Sequence, residues 1–205
     1  MFTLSYITLL IILVFVIGTF SITIYRKYTF VYKIFGKPKT RDLHKVAIPN
    51  SCGISFLFIF ILSLVSIESY IDTYSLINII IGATIVCVNG YWDDLKIINP
   101  YQKLIFQLIA VVFIIFSNEL VILNLNGFLG IENIPYLPGF CLTTFIGIFM
   151  INSFNLIDGI DGLAASSAVI SFIAFAILFW VLNYKGYFGM CIIMVGMIIS
   201  YLPFN

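Results

Sequence analysis

The stretch Leu4-Ser5-Tyr6-Ile7-Thr8-Leu9-Leu10-Ile11-Ile12-Leu13-Val14-Phe15-Val16-Ile17-Gly18-Thr19-Phe20-Ser21-Ile22-Thr23-Ile24 decides the fold class. It holds no charged residue, and about 20 apolar residues suffice to cross a bilayer as a helix. No basic segment precedes it and no small-residue cleavage site follows. Arg26 and Lys27 come directly after it, so it reads as an uncleaved membrane helix and not as a signal peptide.

Six further apolar runs lie at about Gly53–Ile67, Leu76–Trp92, Leu104–Ser117, Gly139–Ile157, Leu163–Leu182 and Tyr187–Phe204. The second and fourth of the seven runs are short for a span. The whole chain is 62% apolar and 9% charged, against about 25% charged in soluble domains. That excludes a disordered chain and a soluble domain. The net charge of +1 gives no footing for a general polyanion binder, so no nucleic-acid partner is expected. The runs lack period-2 alternation, which excludes a membrane barrel. The expected fold is an all-α polytopic membrane protein with about seven transmembrane helices, residues 1–205 forming a single integral membrane domain.

Seven of the ten basic residues fall between Tyr25 and Asn50. Basic loops stay in the cytoplasm, which puts the N-terminus outside and, after seven spans, the C-terminus inside. The same count puts Lys96 and Lys103 inside and leaves Lys185 outside. Glu68, Asp72, Glu119 and Glu132 then fall in outer loops. In the outer segment Glu119–Pro138, Val121–Leu125 and Phe128–Ile131 flank Asn126-Gly127. Asn-Gly between apolar runs favours a type I′ turn, so a small outer β-hairpin is expected. Cys52, Cys87, Cys141 and Cys191 are far apart and form no metal-binding spacing, so they read as small apolar packing residues.

Polar chemistry gathers at the expected inner boundary. Asp93 and Asp94 end the third run, and Lys103 and Gln107 open the fourth. Paired carboxylates beside lipid are costly unless water, a cation or a basic group is near. A short loop could return Lys103 to the same face. Alone, such a pair is equally a solvated turn, and a lysine at an inner edge is often only a topology signal.

The denser cluster is Asn152-Ser153-Phe154-Asn155-Leu156-Ile157-Asp158-Gly159-Ile160-Asp161-Gly162-Leu163-Ala164. Asn152, Asn155, Asp158 and Asp161 recur every three residues, which makes one polar stripe if the helix continues. Gly159 and Gly162 permit a break where backbone can approach a ligand. Hard oxygen donors of this kind suit magnesium carrying phosphate oxygens, and the spacing does not fit an EF-hand. The basic loop Lys37–Gly53 holds Arg41 and His44. Arg41 suits a phosphate oxygen, while the lone His44 is as readily a structural or solvated group.

These motifs resemble those of the polyprenyl-phosphate sugar-1-phosphate transferases, the glycosyltransferase 4 type that includes the phospho-MurNAc-pentapeptide translocases. The family's Asn-x-x-Asn-x-x-Asp-Gly-x-Asp-Gly-Leu-Ala signature is matched at Asn152–Ala164, and its Asp-Asp with a following Lys and Gln at Asp93, Asp94, Lys103 and Gln107. The loop Lys37–Gly53 is similar to the family's Lys/Pro/Arg/His loop, with Ser51-Cys52-Gly53 where a Gly-Gly pair is usual.

The resemblance implies transfer of a sugar phosphate, of N-acetylhexosamine type, from a UDP-sugar to undecaprenyl phosphate with release of UMP, for cell-wall or surface-glycan synthesis. The cofactor implied is magnesium, with manganese as an alternative. Asp93, Asp94, Asp158 and Asp161 would be catalytic, with Asp94 and Asn155 holding the metal. Lys103, Asn152, Gly159, Arg41 and His44 would bind substrate. The implied location is the cytoplasmic membrane, motifs on the cytoplasmic side, with a homodimer compatible. Similar enzymes have about ten or eleven spans, so the chain is expected to be the N-terminal two thirds of a larger transferase, lacking one aspartate ligand of the metal and therefore showing little or no turnover. Magnesium-dependent UMP release by the 205-residue chain would overturn that expectation. A transporter component and a non-catalytic scaffold for glycan assembly are the competing readings.

Overall fold

The structure, a computed structural model, describes residues 4–31, 52–65, 67–96, 98–116, 120–158 and 162–202. Seven α-helices are formed by these residues: α1 (Leu4–Val31), α2 (Cys52–Val65), α3 (Thr73–Leu95), α4 (Pro100–Ile115), α5 (Tyr136–Ile157), α6 (Leu163–Val181) and α7 (Lys185–Tyr201). Each of the seven helices covers most of one apolar run. Four segments are long and apolar enough to cross a membrane: Leu9–Tyr28, Thr73–Asp93, Tyr136–Ile157 and Leu163–Val181. The apolar helices Gly53–Val65, Pro100–Ile115 and Lys185–Tyr201 are shorter. At 1.5 Å per residue, α2 with its 14 residues reaches about 21 Å, short of a bilayer core about 30 Å thick.

Local chemistry sets several helix ends. Asp72 caps α3, its carboxylate accepting from the Ser75 N–H at 2.8 Å. Asn99 caps α4 by accepting from the Tyr101 N–H at 3.1 Å, and Pro100 follows as a first-turn residue. Proline fits there because its missing N–H would have no helical partner. Both helices start three or four residues before the apolar runs do.

Helix α7 packs on α1, α2 and α6. Val14, Ile59, Leu64, Ile67, Ile193 and Met197 form the main core where α1, α2 and α7 meet. Helices α3 and α4 form a tight antiparallel pair, and α5 leans on α4. At Gly82 of α3 a side chain would stand 2.9 Å from the Ala110 carbonyl oxygen of α4. At Gly147 of α5 it would stand 2.7 Å from Val111 Cγ1. Helices α5 and α6 touch each other little. Their outer faces are apolar, with Phe145, Leu156, Ile170 and Val181 exposed, as helices facing lipid require.

The expected hairpin forms only in part. Asn126 and Gly127 both have positive φ (50° and 82°), and the Phe128 N–H bonds the Leu125 carbonyl at 2.9 Å. The turn therefore closes at Asn-Gly. The second arm is not Phe128–Ile131, which coils through a short helical turn at Phe128–Gly130. Leu123 and Leu125 instead pair with Ile134 and Glu132, around a single antiparallel bridge between Asn124 and Asn133. No strand is formed among the described residues, because the extra turn uses up the residues that would extend the ladder.

Candidate active site at one end of the helix bundle

The C-terminal ends of α3 and α5 and the N-terminal ends of α4 and α6 share one end of the bundle, since α4 follows closely on α3, α6 follows closely on α5, and Gln107 near the start of α4 meets Asn152 near the end of α5. Lys103 Nζ lies 3.2 Å from Asp93 Oδ2, with the two side chains 28% and 16% exposed. The capped turn at Asn99-Pro100 brings them together by folding α4 back along α3. One helical turn further along α4, Gln107 is 2% exposed and meets Asn152 of α5. Asn152 Nδ2 donates to Gln107 Oε1 at 2.9 Å, and Gln107 Nε2 donates back to Asn152 Oδ1 at 3.4 Å. Two polar ties thus link α3, α4 and α5 in sequence.

The expected stripe on α5 divides. Three residues advance a helix by 300°, so each step of three turns the side chain back by about 60°. Asn152 faces α4 and is consumed by Gln107. Asn155 and Asp158 have swung round to line an open groove of about 480 Å³ between α2, α5, α6 and α7. Asn155 Nδ2 donates to the Ile151 carbonyl at 3.1 Å, which turns its oxygen outward. The helix ends at Ile157, with Asp158 as its C-cap, and Asp161, the last member of the expected stripe, lies outside the described residues. The groove is otherwise apolar. Phe56 and Tyr201 meet edge to face at 5.3 Å on one side, and Ala164, Ala165 and Ala168 line the other.

Asp158 keeps an exposed edge, yet the apolar walls around it desolvate the carboxyl and push its pKa above the ordinary value. Gly162 has φ 72°, the left-handed conformation that glycine adopts without strain, and it starts α6. The side chain of Asp94, and all of Arg41, His44, Gly159 and Asp161, lie outside the described residues. Among the described residues no three His, Cys, Asp or Glu side chains cluster to hold a metal. The outward oxygen of Asn155 is a hard donor of the type magnesium takes together with carboxylate, water and phosphate oxygens.

Sequence reading missed Asn89, whose side-chain oxygen is buried on α3 without a hydrogen-bond partner among the described residues. Its signal was available, since Asn89 precedes Asp93 by four residues. The alanines at 164, 165 and 168 were a second signal, because small residues leave room for a groove.

Residues 76–205 match the family model described as glycosyl transferase family 4. The chain belongs to that family. Among curated relatives, the phospho-N-acetylmuramoyl-pentapeptide-transferase of Staphylococcus haemolyticus is 30% identical over 178 residues, covering 80% of this chain and 56% of that protein. The enzymes of the same name from Staphylococcus aureus strains MSSA476 and JH9 are 26% and 29% identical, each over 98% of this chain and 67% of the relative. The chain thus spans between 56% and 67% of these relatives' length. The match to the family model takes in most of α3, all of α4 to α7, and every described polar residue of the site.

Proposed function

We propose that this chain serves the transfer of a phospho-sugar from a UDP-linked donor to a polyprenyl phosphate, with release of UMP, in cell-wall synthesis. One observation carries the reading. The Asp93–Lys103 pair and the Asn152–Asp158 segment, far apart in sequence, stand at one bundle end, tied through Gln107. Membership of glycosyl transferase family 4, with relatives named for phospho-N-acetylmuramoyl-pentapeptide transfer, supports it. The seven helices are proposed as seven spans of the cytoplasmic membrane, N-terminus outside, the basic residues keeping this bundle end at the cytosol.

In this reading a phosphate oxygen of the lipid attacks the sugar-bearing phosphorus of the donor, and the bond to the UMP leaving group breaks. Asp93 or Asp94 accepts the proton of the lipid phosphate or positions it. Lys103 meets the negative charge of the diphosphate, where a fixed cation in a dry site is worth most. Asp158, Gly159 and Asp161 border the nucleotide, and Arg41 and His44 meet phosphate oxygens from the basic loop. Asn155 and Asp94 would hold magnesium, which when bound supplies a counter-charge for the transferring group. The apolar groove beside Asn155 and Asp158 suits an isoprenoid chain. A carrier reading is weaker, since Asp93 and Asp158 lie at helix ends and not midway along a span.

The test uses the purified chain in nanodiscs. Radiolabelled UDP-N-acetylglucosamine and UDP-MurNAc-pentapeptide are offered with magnesium and undecaprenyl phosphate, and both retention and UMP release are read. Retention of a donor that disappears in Asp93→Asn and Asp158→Asn is expected. Equal retention by the parent and both variants would overturn the reading.

A further inference from the structure

One stripe of α3 carries Asn78, Gly82, Asn89 and Asp93 at helical spacing. Gly82 fixes its direction, since a side chain there would meet Ala110 and Ile114 of α4. Cys87, on another face of α3, lies toward Gly53 of α2. Asn89 therefore looks at α4, two turns from Gly82 toward the junction of the two helices. In this antiparallel pair the facing stretch of α4 is Lys103 to Gln107. Asp93, one turn further along, bonds Lys103, and Trp92 sets its ring edge-on to Phe106 with centroids 6.0 Å apart.

Asn89 is 3% exposed, and its Oδ1 is buried without a hydrogen-bond partner among the described residues. An orphaned amide oxygen in an apolar helix pair is costly, so a donor within reach is to be expected. In that stretch of α4 the side-chain donors are Lys103 and Gln107. Gln107, tied to Asn152 by one bond in each direction, keeps a single neutral amide proton. The Lys103 ammonium has three protons, and its bond to Asp93 uses one. We propose that Asn89 is a positioning residue for Lys103. Its carbonyl oxygen is a second seat, one helical turn deeper than Asp93, which the ammonium takes when Asp93 is engaged elsewhere. The bearing on catalysis rests on the transferase reading. Asp93 then serves a ligand while Lys103 stays confined beside it.

The test is competitive acylation of lysines in the purified, detergent-solubilised chain at a single pH, read by peptide mass spectrometry. Lys96 and Lys185, both exposed, are internal references. Asp93→Asn alone raises Lys103 labelling little, because Asn89 takes over. Adding Asn89→Leu raises it about tenfold further, the weight of one charge-assisted hydrogen bond. Adding Asn89→Asp instead keeps an oxygen in place and holds Lys103 at or below the rate of Asp93→Asn. Equal labelling with and without Asn89→Leu overturns the proposal. So does release of Lys103 by Asn89→Asp as large as by Asn89→Leu, since that marks the amide as packing only. Should the Asn89→Leu chain not elute as a single species, the Asn89→Asp arm decides alone, and faster labelling of Lys103 there overturns the proposal. No donor or lipid enters the assay, so loss of the transferase reading leaves this result standing, and the reverse also holds.

Discussion

The side-chain amides of Gln107 and Asn152 bond each other in both directions, at 2.9 and 3.4 Å, across a separation of 45 residues. This tie sits one turn from the Asp93–Lys103 pair and fixes the rotation of α5. Asn152→Leu strands the buried Gln107 amide, whereas Gln107→Leu leaves the half-buried Asn152 with its own bond to the Ile148 carbonyl and a lone amide oxygen. Gln107→Leu and Asn152→Leu are each expected to destabilise the chain by about 1–3 kcal/mol. The double change should cost less than the two single changes together, because both orphans are gone. Thermal unfolding of the four proteins in one detergent checks this, and additive losses would show that the pair is not coupled.

The Asp93–Lys103 pair is unequal. Asp93 is the more buried partner, at 16% against 28% exposed. Lys103→Met leaves that carboxylate without this cation, whereas Asp93→Asn leaves an ammonium that can reach water. Lys103→Met is therefore expected to cost more, by about 1–2 kcal/mol after discounting for partial exposure. Thermal unfolding of the two variants would show the reverse order if Lys103 were merely a topology signal.

Close helix approach at Gly82 is testable by contrast with Gly90. A Cβ at Gly82 would press on the Ala110 backbone, while at Gly90 it would meet nothing within 4 Å. Gly82→Ala should destabilise by about 1–3 kcal/mol and change the Trp92 environment. Gly90→Ala should be neutral or stabilising by up to about 1 kcal/mol, through helix propensity. Unfolding temperature and tryptophan emission of the two variants separate the cases.

Two aspartates give opposite pH signs. The Ser75 side chain and then its backbone N–H hold the Asp72 carboxyl below its ordinary value. Its stabilisation is present above the unfolded-state pKa and is lost as pH falls through the folded one, below about pH 4. Burial holds Asp158 above its ordinary value, so the folded state prefers its proton. Its contribution is full below about pH 4 and is lost as pH rises through the folded pKa. Unfolding temperature against pH for Asp72→Asn and Asp158→Asn, each relative to the parent chain, should therefore diverge in opposite directions. Parallel curves would remove both assignments.

Much of this architecture is legible in the chain. Each apolar run marks a helix because a lipid-facing helix must be apolar over most of its surface. The starts of α3 and α4 are missed by several residues, since hydropathy passes over Thr73, Tyr74, Gln102 and Lys103. The capping residues Asp72 and Asn99 carried that information. The pairing of Asp93 with Lys103 is readable from a loop too short to go elsewhere. Gln107 with Asn152 is not, because it depends on how α5 is rotated against α4. The Asn-Gly turn is readable from the positive φ that both residues tolerate, but the second short turn after it shifts the returning arm.

Helix α5 rests on α4, and α6 rests on α7, while α5 and α6 barely meet. The groove between them is therefore a gap between two separately anchored jaws, like the opening of a calliper. Its width is set at Gly147 against Val111 on one side and along the α6–α7 face on the other. A methyl group added at Gly147 would press on Val111, which does not line the groove, and so would reset the aperture from a distance.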